Sequence, residues 1–135
     1  MISLEWDTQA DLDLLVTDPL GVQIGPKNLN SYEPPPPGEP PDPPDAWREG
    51  GILGLDSNSG CVLDGVRREN AVWVQPPPPG RYVVQVAMTQ PCGQVRASFR
   101  VVARTPDGEI ARAEGVLYEI DARIPGGLRA LEFTL

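Results

Sequence analysis

The stretch Trp6–Gly21, WDTQADLDLLVTDPLG, decides the fold. Leu12, Leu14 and Val16 alternate with Asp11, Asp13 and Thr17, the period-two pattern of a half-buried strand. Such a strand turns its apolar set to a core and places both aspartates on the opposite face, about 6–7 Å apart. Asp18-Pro19-Leu20-Gly21 then ends it with turn-forming residues. Carboxylates set side by side on a strand either face solvent or share a cation.

Outward from this strand the same period recurs. Ile2, Leu4 and Trp6 share one face of a first strand, Ile2–Trp6, and Val22–Ile24 reads as a short return strand. The segment 32–45, YEPPPPGEPPDPPD, holds eight prolines and four acidic residues. Without amide donors and with φ fixed, it is neither helix nor central strand, and it reads as a solvated polyproline-II loop insertion. A strand at Ile52–Leu55 leads to a polar loop carrying Asp56, Asn58, Asp64, Glu69 and Asn70, and Ala71–Val74 resumes as strand. After the rigid connector at 75–80, Tyr82, Val84, Val86 and Met88 align on one face. Val95, Ala97, Phe99 and Val101 align on the next strand. Thr105-Pro106-Asp107-Gly108 is a hairpin turn, and segments 109–119 and 128–135 supply the last strands. Seven to nine short strands with a turn every eight to twelve residues predict a single all-β domain, an antiparallel β-sandwich over residues 1–135.

Composition narrows the function. The chain has 135 residues and a formal charge of −8, with no histidine and 11 lysines and arginines together, of which Lys27 is the one lysine. An acidic, lysine-poor domain does not suit the phosphate backbone of nucleic acid. No run approaches the roughly 18–20 apolar residues of a membrane span. No charged-then-apolar leader precedes Ile2, so the chain reads as a module of a longer protein. Serine and cysteine nucleophiles need a base that is missing here. Paired carboxylates could hydrolyse glycosides, but that requires an apolar cleft with free aromatics, and Trp6, Tyr82 and Phe99 fall on core faces. The reading is non-enzymatic.

Calcium suits the acidic residues better, since it takes six to eight oxygen ligands. Asp11 and Asp13 offer two carboxylates from a rigid strand. Asp56-x-Asn58-x-Gly60 alternates oxygen donors before a glycine bend, and Asp64 and Glu69 stand ready to close the shell. The competing reading leaves all six on solvated faces and turns. Cys61 and Cys92 are too far apart in sequence for a CxxC motif, and both a disulfide and two buried thiols stay open.

Taken together, 6–21, 50–61 (GGILGLDSNSGC), 69–73 (ENAVW), 76–88 (PPPPGRYVVQVAM), the Cys92-Gly93 pair and 99–108 (FRVVARTPDG) resemble the YfaP-type bacterial domain, a family of uncharacterised function. The resemblance spans the chain outside the proline excursion. It implies a periplasmic, cell-surface or secreted protein, with von Willebrand-type, inter-α-trypsin-like or α2-macroglobulin-like components beside it. It also implies a Cys61–Cys92 disulfide. The chain is similar, over less of its length, to tellurite-resistance TerD-type calcium-binding β-sandwiches. There Asp11 and Asp13 match a WD…DLD strand, and Asp56, Asn58, Asp64 and Glu69 match a later acidic loop. Arg67 and Arg68 depart from that pattern.

The expectation is a calcium-stabilised, non-catalytic accessory module of a larger envelope or secreted protein. Its partner would be a protein or carbohydrate ligand. The alternative is a metal-free interaction domain whose carboxylates pair with arginines, and a carbohydrate-active enzyme comes third.

Overall fold

In the computed structural model, which describes residues 1–135, the chain forms nine strands and no helix beyond short 3₁₀ turns. These are β1 (Ile2–Trp6), β2 (Asp11–Thr17), β3 (Gln23–Ile24), β4 (Gly51–Leu53), β5 (Arg68–Trp73), β6 (Arg81–Gln90), β7 (Arg96–Thr105), β8 (Gly108–Tyr118) and β9 (Leu128–Thr134). They pair antiparallel into a five-stranded sheet, β4-β5-β1-β7-β8, and a four-stranded sheet, β3-β2-β6-β9. The expected β-sandwich is the observed architecture.

Period two dictates which side chains meet. Leu12, Leu14 and Val16 from β2 and Val84, Val86 and Met88 from β6 face Leu4, Ala71 and Val101 of the other sheet in one core of 19 residues. Full burial of each Leu or Val contributes about 1.5–3 kcal/mol, so this layer is the main source of stability. Segment 32–45 forms neither strand nor helix and is largely exposed, as eight prolines require.

Several boundaries differ from the sequence pattern: β4 spans Gly51–Leu53 rather than Ile52–Leu55, and β5 ends at Trp73 rather than Val74. Two further differences move side chains between strand and loop. β5 starts at Arg68, so Glu69 and Asn70, expected in the polar loop, belong to a strand. Val95, expected on the core face of β7, lies in the preceding turn and is 72% exposed, and Ala103 takes the additional core position. The register sets this: β7 pairs with β8 only from Arg96 onward, opposite Tyr118.

Candidate metal centre

The first half of β2 has a strand on one edge only. β6 runs along all of it, from Asp11 opposite Gln90 to Thr17 opposite Val83. β3 covers only Val16 and Thr17 on the other edge. Glu69, reaching from β5 in the opposite sheet, fills part of the gap: its Oε2 accepts the Leu14 N–H at 2.7 Å. The β4–β5 loop covers the rest. Gly54 donates to the Asn70 carbonyl at 2.9 Å, which fixes where the loop leaves the sheet. Asn58 then donates through Nδ2 to the Ala10 carbonyl at 3.2 Å, and the Gly60 N–H donates to Asp11 Oδ2 at 3.0 Å.

The loop has its own brace. Both oxygens of Asp64 are occupied: Oδ1 accepts from Ser57 Oγ and the Val66 N–H, and Oδ2 accepts from the Asn58 N–H. These donors hold the Asp64 carboxyl below its ordinary range, the Val66 N–H most. Asn58 is fully inside, and its Oδ1 accepts the Asp64 N–H. Of the six residues the sequence proposed as ligands, Asn58 and Asp64 therefore build the loop. Sequence reasoning overlooked their scaffold role and that of Ser57, although an Asx-type repeat, DSNSG…D, is the signal for it.

Asp11, Asp13 and Asp56 converge. One carboxylate oxygen from each lies within 4.8 Å of the other two. Neither strand aspartate sits on a solvated face: Asp11 is 3% exposed and Asp13 8%. Thr89 Oγ1, from the outward face of β6, donates to Asp13 Oδ2. It is a neighbour that the sequence reading missed, although strand register places it diagonally across from Asp13. Glu69 is completely buried beside this group rather than within it.

No cation offsets this negative charge. All six ion pairs of the molecule use Glu5, Glu109 or Glu132. Arg67 donates to the Asp7 carbonyl and Arg68, the first residue of β5, pairs with Glu5 at 2.6 Å, so both arginines turn away from the cluster. Pairing of these carboxylates with arginine, expected in the alternative reading, is absent. Burial pushes the Glu69 carboxyl up to about 9, helped by Asp13, Asp56 and Asp11 and opposed by the Leu14 N–H. Burial also lifts Asp11 to about 6, with Asp13 and Asp56 adding to it, and raises Asp13. Three carboxylate oxygens, Asp11 Oδ1, Asp56 Oδ1 and Glu69 Oε1, are buried without any hydrogen-bond donor.

This donor set fits a hard divalent cation. It is all oxygen, as calcium prefers. Two oxygens bound to one calcium at about 2.3–2.6 Å can lie at most about 4.6–5.2 Å apart, and the three aspartates meet that limit. The cysteines close the same region: Cys61 and Cys92 form a disulfide, tying the loop to the β6–β7 turn.

The other end of β6 is built from rings. Tyr82 stacks on Phe133 at 5.3 Å between centroids and meets the edge of Trp73 at 5.7 Å. Trp73 lies over Gly51, its cross-strand partner, where any Cβ would come within 2.4 Å of the indole. These rings border an apolar recess of about 330 Å³ with Pro76, Pro77 and Ile110. Tyr82 and Gln90 are eight residues apart, about 26 Å along the strand, so these three rings and the buried carboxylates do not share a cleft.

Fold and cluster together define the class, an antiparallel β-sandwich with a buried, uncompensated carboxylate group at one sheet edge. No family model, curated protein or solved structure matches the chain.

Proposed function

We propose that the chain is a non-catalytic β-sandwich module that binds one calcium ion at Asp11, Asp13 and Asp56. The observation that carries this reading is the convergence of three aspartates with no cationic partner, two of which, Asp11 and Asp56, each keep a buried oxygen, Oδ1, without any donor. Buried charge without compensation is costly, and a divalent ion removes that cost at the cluster. Glu69, on the Leu14 N–H, supports the platform from behind. The ion would hold the β4–β5 loop against β2 and pre-organise its outer side, where Leu55, Val62, Leu63 and Val66 are exposed. A protein or carbohydrate ligand would dock there. The disulfide and the YfaP-type resemblance support an extracytoplasmic setting as part of a larger envelope or secreted protein.

Thermal unfolding in chelator, in about 1 mM calcium and in magnesium tests the reading. A site with a dissociation constant near 10 µM adds about 2.7 kcal/mol at that calcium concentration. The gain is expected for calcium and not for magnesium, and Asp13→Ala should abolish it. An Asp13→Ala protein that keeps the full calcium response would overturn the assignment.

A further inference from the structure

We propose that the Cys61–Cys92 disulfide controls the calcium affinity of the carboxylate cluster, making the site redox-sensitive. This rests on the calcium reading above and concerns how that site is regulated.

Four non-glycine residues of the chain have left-handed backbone: Asn58 (φ 60°), Cys61 (φ 63°), Arg67 (φ 51°) and Cys92 (φ 52°). Three belong to the β4–β5 loop, and the fourth is the cysteine that ties this loop down. Side chains disfavour that conformation, and it persists only where surrounding contacts impose it. The strain of the molecule is thus gathered in the loop over the cluster and in its clamp.

The clamp is placed where it acts on the site. Gly60, which donates to Asp11 Oδ2, is bonded directly to Cys61. On the far side of β2, Asp11 is opposite Gln90, two residues before Cys92. The disulfide therefore spans the end of β2, and Asp11 is gripped from both sides. Asp11 and Asp13 are also fixed by the β2–β6 ladder. Asp56 has no such support: its Oδ1 has no donor, and its place in the cluster depends on the path of the loop. Cutting the clamp releases Asp56 and the Gly60 N–H while leaving the strand carboxylates in position.

The chemistry balances. A dithiol such as dithiothreitol supplies two electrons and two protons, the S–S bond breaks to two thiols, and the reagent closes to its cyclic disulfide. Both cysteines are partly exposed, so a small dithiol can reach them. Because linkage is reciprocal, calcium must in turn favour the disulfide by the factor that reduction weakens calcium binding.

The experiment is calorimetric calcium titration of the oxidised protein, the dithiothreitol-reduced protein and Cys61→Ser/Cys92→Ser, with far-UV circular dichroism to monitor the sheets. The oxidised protein should bind one calcium. The other two should bind at least tenfold more weakly with unchanged sheet signal. Equal affinity in oxidised and reduced protein would overturn this inference and leave the calcium site standing. No binding by the oxidised protein would overturn the calcium reading itself, and this inference with it. Should the unclamped forms not fold, the dithiol–disulfide equilibrium of the native protein decides. Saturating calcium should shift it at least tenfold toward the disulfide, and no shift would refute the proposal.

Discussion

β6 begins among rings and ends among carboxylates, and the two ends are held together in opposite ways. At Tyr82, burial is favourable in itself, because apolar surface leaves water and the phenol still donates to the Pro78 carbonyl at 2.7 Å. At Asp13, burial opposes the charge, and the arrangement is imposed from outside by the loop, the Asp64 brace and the disulfide. A self-sufficient contact needs no ligand. An imposed one stays costly unless something is bound there, and on the calcium proposal this separates a structural end of β6 from a ligand-binding one.

The sharpest way to break this contrast is at the ring end. Tyr82→Ala should cost about 3–5 kcal/mol, as large aromatic truncations in cores do. Urea unfolding should give the same loss in calcium and in chelator, since the cavity it leaves lies far from the cluster. A loss that depended on calcium would show the ends to be coupled.

The carboxylate end should respond to pH with the reverse of the usual acid sensitivity. Glu69 is raised from an ordinary 4.5 to about 9 in the folded chain, and Asp11 from 3.8 to about 6. The folded state therefore holds more protons between those values. The stability linked to them is full at low pH and is lost as pH rises through about 6 for Asp11 and about 9 for Glu69. In chelator, unfolding free energy should fall from pH 5 to pH 9. Glu69→Gln keeps an acceptor for the Leu14 N–H without the charge. It should flatten that slope and stabilise the metal-free protein at pH 8 by on the order of 1–3 kcal/mol, the scale of a poorly satisfied buried polar group. A steeper slope in Glu69→Gln would refute this account.

The smallest expected effect concerns the neighbouring arginines. Arg67 donates to the Asp7 carbonyl rather than to the cluster, so Arg67→Ala should leave the calcium titration midpoint unchanged and cost under about 1 kcal/mol in stability. A tighter calcium site in that variant would mean that Arg67 reaches the carboxylates after all.

What the sequence revealed follows from these same contrasts. β2 and β6 are legible because each alternates apolar and polar residues in step with the pleat, and their core faces are as the pattern predicts. β5 was misjudged at its start for an instructive reason. Arg68, Glu69, Asn70 and Ala71 do keep period two, with Glu69 and Ala71 buried and Arg68 exposed, but a glutamate stands in the apolar slot and makes the strand read as loop. Val95 continues the alternation of β7 one step too early, since a turn residue can match the pattern without belonging to the ladder. The pairing of Asp11 with Asp13 was visible. Their burial was not, because it is produced by a loop more than 40 residues further along the chain. The Asx-type repeat DSNSG…D hints at a brace but suits a ligand set as well, and the loop's closure onto itself assigns Asn58 and Asp64.

The half-open edge of β2 bears on how these molecules behave toward one another. A strand edge with free N–H and C=O groups is a template for a strand from another chain and a starting point for aggregation. On β2 the Leu14 N–H is taken by the Glu69 carboxylate, and the Ala10 carbonyl just before it by Trp6 Nε1 and Asn58 Nδ2. Side chains stand in for the missing neighbour strand, and a second molecule finds those backbone groups already engaged.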